Sequence, residues 1–101
     1  MDTTQLLADA KARFSHNSAK AYLKDKYSSN LIVAEQGGLW TASTALISFL
    51  SSIDQEYIVI VDNFDNPVSV NVSELRTKIV HTYTTVMDAW ETEWAELETK
   101  R

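Results

Sequence analysis

The chain contains no cysteine, which removes disulfide scaffolds, thiol catalysis and thiolate metal sites from consideration. Two glycines and one proline in 101 residues leave little room for long flexible linkers. No apolar run approaches the length that a bilayer demands. Met1-Asp2-Thr3-Thr4-Gln5 has no basic stretch leading into an apolar one, as a secretion signal would, so the Asn71-Val72-Ser73 glycosylation match carries no weight. The two histidines, His16 and His81, form no H-x-x-x-H pair, and G-x-G-x-x-G and P-loop patterns are missing as well. These absences point away from an enzyme and from any cofactor. They favour a cytoplasmic protein, in the host cytoplasm if this small acidic chain is viral.

Positive charge is also scarce where it would matter. The net charge is −5, and residues 31–74 hold six acidic side chains and no basic one. Nucleic-acid affinity depends on phosphate neutralisation, so DNA or RNA binding is not expected. Lys11, Arg13, Lys20, Lys24 and Lys26 make a modest basic stripe near the N-terminus, and the plain reading of it is a solvated helix face. An anionic membrane would repel the rest of the molecule.

What is present is enough for one packed domain over residues 1–101: 26 residues are Leu, Ile, Val or Phe. Residues 4–28 read as a helix from the spacing of Leu7, Ala10 and Phe14, continued by Tyr22 and Leu23, with a weak point at Ser15-His16-Asn17-Ser18. Residues 31–36 read as a strand and Gly37-Gly38 as a two-residue hairpin turn, returning through Leu39-Trp40-Thr41. Thr41 or Ser43 would then cap a short helix over the following apolar residues. One continuous helix from Leu39 to Ser52 is the alternative.

Tyr57-Ile58-Val59-Ile60-Val61 reads as a central strand covered on both faces. Residues 62–67 form a turn by composition, and Val68-Ser69-Val70-Asn71-Val72 alternates as a half-buried strand should. Asn71 and Glu74 fit a capping box for the last helix. Its heptad lines, Val72-Ile79-Val86 and Tyr83-Trp90-Leu97, carry it towards residue 99. The expected fold is α+β, in the order α-β-β-α-β-β-α: two hairpins in a small antiparallel or mixed sheet, packed against long terminal helices. The last turns of the C-terminal helix are expected to project, since about 40 Å of helix exceeds a compact domain of this size.

Candidate sites follow from that layout. Trp90 and Trp94, four residues apart, share a helix face with Tyr83 and Leu97, and acids such as Glu91 surround them. Such rings either pack against the first helix, through Leu7, Phe14 or Tyr22, or serve as an interface anchor. Phe64 and Asp65, at a loop tip, are candidate contact residues. Asp62, Asn63, Asp65 and Asn66 offer oxygens in one loop, but Asx turns explain them without a metal. Glu35 and His81 are weak candidates for acid-base work. The leading expectation is a non-enzymatic interaction, assembly or accessory module that acts through its C-terminal helix and acidic surface on a protein partner or on itself, as a homodimer. The alternative is a small-molecule or peptide binding module with a pocket near Trp40, Tyr57 and Trp90.

Overall fold

A computed structural model of the chain describes the backbone of residues 3–99 and the side chains of residues 16–99. The elements are α1 (Thr3–Asn30), β1 (Ile32–Glu35), β2 (Gly38–Thr41), α2 (Thr44–Ser51), β3 (Tyr57–Val61), β4 (Pro67–Asn71) and α3 (Val72–Thr99). This is the expected α-β-β-α-β-β-α order. α1 runs unbroken through Ser15–Ser18. Residues 39–51 divide into strand and helix, and Ser43 caps α2 by accepting from the Leu46 N–H at 3.1 Å.

Each hairpin is an antiparallel two-stranded sheet of its own, and the two share no ladder. Loop contacts join them instead. Leu39 in β2 donates its N–H to the Asp62 carboxylate (3.0 Å) and accepts from the Asn63 N–H (2.8 Å). The Gln36 side-chain amide makes a two-bond pair with the Asn71 backbone, accepting from its N–H at 2.7 Å and donating to its carbonyl at 3.1 Å. Asn71 still caps α3, its Oδ1 accepting from the Glu74 N–H at 2.9 Å. The reciprocal half of the expected capping box is absent, because Gln36 has taken the Asn71 N–H.

The first turn sits one residue earlier than expected. Gln36 and Gly37 are its central residues, with φ of 52° and 82°, and Gly38 already pairs with Glu35 in the ladder. The shift lets the Trp40 ring lie back over Gly38 on the same face of β2. A Cβ at Gly38 would stand 2.5 Å from Trp40 Cζ2. The buried indole is fixed there by its N–H, which donates to the Glu35 carbonyl at 2.9 Å.

The expectation that β3 is covered on both faces is wrong. Ile58 and Ile60 face the core, but Tyr57, Val59 and Val61 are each at least 60% exposed. The continuous apolar run concealed an alternation, because the helices cover only one face of the second hairpin: α1 packs mainly on α3 and β1.

Two apolar clusters result. The larger holds Trp40, Ala42, Leu50, Val70, Val72, Leu75 and Ile79, with Tyr83 against it. The smaller holds Leu23, Tyr27 and Val86, with Trp90 and Leu97 packed on it, and lies between α1 and α3. The helices run antiparallel, since His16 meets Glu98 and Tyr27 meets Trp90. The molecule measures 66 × 24 × 19 Å with a radius of gyration of 19.4 Å, against about 13 Å for a compact domain of this length. The hairpins and α2 form one end, and the α1–α3 pair extends from it.

Candidate functional site

The sequence pattern placed Trp90 and Trp94 on one helix face, and α3 presents both toward α1. Trp90 stacks on Tyr27 with 5.9 Å between ring centroids and 13° between planes. Trp94 lies 6.1 Å from the His16 ring, with the Lys20 ammonium 5.6 Å above it. Both indoles remain half-buried. Tyr22, one of the expected partners on the first helix, is 64% exposed and points elsewhere. The Leu7 and Phe14 side chains lie outside the described residues.

The two indoles line an open groove of about 460 Å³ together with Asn17, Lys20, Ala21 and Lys24. Its lining is mostly apolar, with two lysines on the α1 rim. Glu91, Glu96 and Asp88 are exposed on α3. The groove therefore combines aromatic surface, a small residue that lets a backbone approach, and charge of both signs nearby.

A polar cluster also links the two helices. The Glu93 carboxylate accepts from the Tyr27 hydroxyl and from the Lys26 ammonium, the latter at 2.6 Å. These bonds hold Glu93 below the usual carboxylate range, the lysine contributing most. The same bonds raise Lys26 and Tyr27. Nothing in the sequence marks this trio, because its members meet only when α1 and α3 pair in register.

The remaining candidates are scattered. Tyr83 packs on the main core and Leu97 on the smaller cluster. Phe64 is 69% exposed at its loop tip, beside Asp65 in the left-handed region at φ 62°. Trp40 contributes to a cavity of about 410 Å³ with Leu46, Phe49 and Ile60, but Tyr57 does not line it and Trp90 lines the α1–α3 groove instead. Glu35 is half-buried beside the first turn and His81 is exposed on α3, and the two do not converge. Among the described residues no cluster of His, Asp and Glu has metal-binding geometry, and no helix is long and apolar enough to cross a membrane.

The Asx reading of residues 62–66 holds, and it extends further than the sequence indicated. Asp62 is the buried acid of the described core. Its Oδ1 accepts from the Phe64 and Asn66 N–H groups and its Oδ2 from Leu39, each at 3.0 Å. Those three donors, Asn66 first, hold the carboxyl below its ordinary range. Its role is to join the two hairpins.

No protein-family model matches the chain, and no curated protein or solved structure is significantly similar to it.

Proposed function

We propose that the chain is a non-catalytic interaction module that takes a helix of another polypeptide into the groove between α1 and α3. The observation that carries this reading is the half-burial of Trp90 and Trp94. Each ring contacts a side chain of α1 and also lines the groove. Rigid aromatic rings held this way make good anchors, since little side-chain entropy remains to be lost on binding. The spacing of Ala21 between Asn17 and Lys24 suits a packed helix rather than a compact ligand. The polar groups lining the groove, Asn17, Lys20 and Lys24, include no base paired with a nucleophile. A cytoplasmic setting belongs to the same reading.

The test is a photoreactive benzoylphenylalanine in place of Ala21, with Ser69 on the second hairpin as the control site. Irradiation in cells should give a covalent adduct with a polypeptide at position 21 and none at 69. Equal yields at the two sites, or no adduct at 21, would overturn the proposal. A second reading attaches to the cavity beside Trp40, where Phe49 is exposed at 45%. It takes a small apolar ligand or peptide side chain there. Apolar-dye binding that Phe49→Glu abolishes and Trp94→Ala leaves intact would favour it.

A further inference from the structure

We propose that the outer edge of β3 is a strand-addition site, which takes an antiparallel extended segment of another polypeptide and seats one of its apolar side chains in the cavity beside Trp40. The inference is independent of the groove between α1 and α3, and it rests on the second reading above only in that the cavity accepts a side chain.

The phase of the ladder decides which backbone groups are open. The Val72 N–H donates to the Glu56 carbonyl, and the Asp62 N–H to the Asn66 carbonyl. Between these bonds the register is unbroken, from Tyr57 opposite Asn71 to Val61 opposite Pro67. Bonding alternates along an antiparallel pair. Ile58 and Ile60 therefore turn their N–H and C=O groups to β4, and Tyr57, Val59 and Val61 turn theirs away. Among the described residues those outward groups have no hydrogen-bond partner. The outer edge of β4 is different. Pro67 has no N–H, and the Gln36 amide holds both backbone groups of Asn71. Proline and covering side chains are usual protections of an edge strand. β3 has neither, and it carries no charge and no bulge.

Three features specify the occupant. Outward N–H and C=O groups at alternate residues match the backbone of an extended strand, and antiparallel pairing is the stronger per residue. The cavity of about 410 Å³ runs from Ile60 and Val61 to Trp40, Leu46 and Phe49. In an antiparallel partner the residue opposite Ile60 shares its sheet face. That face is turned to the core, so the side chain of that residue enters the cavity. At the other end of β3, Asp54 and Glu56 are exposed, and residues 31–74 hold no basic side chain to offset them. A segment with lysine or arginine at that end matches them in charge.

The β3 strand of a second copy does not fit. Asn63 follows in the same phase, and its N–H already donates to the Leu39 carbonyl, so β2 closes that end of the edge. Pairing two β3 strands about a twofold axis at Val59 sets residue 63 of one chain opposite Gln55 of the other. The partner's Leu39, bonded to that residue, then falls on Gln55 itself. The occupant is therefore a segment of a different protein, with no strand already on its pairing edge.

The probe is the end-capped peptide Thr-Leu-Thr-Val-Thr-Lys-Lys, with its leucine set opposite Ile60 and its first lysine opposite Glu56. Titration followed by NMR should shift the amides of Tyr57, Val59 and Val61, slow their exchange with solvent, and shift the Trp40 indole N–H. The three threonines turn their N–H groups to β3. N-methylation of the middle threonine should therefore weaken binding at least about tenfold, whereas N-methylation of the valine, whose N–H faces away, should leave it unchanged. In the chain, Val59→Pro removes an N–H that lies outside the ladder. It should abolish binding with the circular dichroism retained, and Ser69→Pro on the β4 edge should keep binding. If Val59→Pro unfolds the chain, the two methylated peptides decide. No shift at millimolar peptide, equal effects of the two methylations, or binding retained by a folded Val59→Pro would overturn strand addition. If an apolar dye still binds beside Trp40 in a manner that Phe49→Glu abolishes, the cavity reading stands without it. If neither dye nor peptide binds, both readings fall.

Discussion

Gly37 and Gly38 are adjacent, yet the structure gives each a different reason to be glycine, and alanine at each should fail in a different way. Gly37 has φ of +82° with no atom within 4 Å of an ideal Cβ. Alanine there meets only the backbone penalty of a left-handed conformation, about 1–2 kcal/mol. Gly38 has no such requirement, but its Cβ would overlap the Trp40 ring at 2.5 Å. The ring is buried and cannot yield without moving neighbours, and overpacking of this kind costs about 1–3 kcal/mol. If the ring swings away it also loses the bond from its N–H to the Glu35 carbonyl, a further 0.5–1.5 kcal/mol or about that. Gly38→Ala should therefore destabilise by about 2–4 kcal/mol, and by more than Gly37→Ala. Urea unfolding gives both values. The indole N–H resonance of Trp40, assigned with Trp40→Phe, should shift strongly in Gly38→Ala and stay close to its wild-type position in Gly37→Ala. Gly37→Asn should recover part of the loss, since asparagine tolerates the left-handed region. A Gly38→Ala protein as stable as wild type, with its Trp40 resonance unmoved, would refute the close approach.

Ile79→Ala should cost about 2–5 kcal/mol by urea unfolding, because the side chain is fully buried, while Val59→Thr on the exposed row of β3 should stay within about 0.5 kcal/mol of wild type; similar losses at both sites would contradict the one-sided burial of the second hairpin. Asp62 titrates lower in the folded chain than the ordinary 3.9 or so of an unfolded carboxyl. Its stabilising contribution is complete above that ordinary value and disappears as the pH falls through the lower folded one. Asp62→Asn should lower the urea midpoint at neutral pH and flatten its fall below about pH 4; parallel acid limbs for wild type and variant would remove Asp62 from that role.

Much of the fold was legible in the amino-acid sequence because its signals are local. The 3–4 spacing of α3, the Ser43 cap, the Asn71 cap and the Asx-rich turn each act over a few residues, and each forms as its chemistry dictates. The order of seven elements follows from them. The first turn shows where local reasoning stops: glycine pairs suit two-residue turns, but here the second glycine is needed beneath Trp40, and a ring two residues away decides the register. The run Tyr57–Val61 shows it again. Five β-favouring residues establish a strand, but whether its second face is covered depends on where distant helices dock. The same division holds for the groove. That Trp90 and Trp94 share a helix face is a consequence of 3.6 residues per turn. That Tyr27 stacks on one, Lys20 sits over the other, and both line a groove was decided only when α1 packed on α3, because contacts between residues more than sixty positions apart leave no periodic trace in either segment.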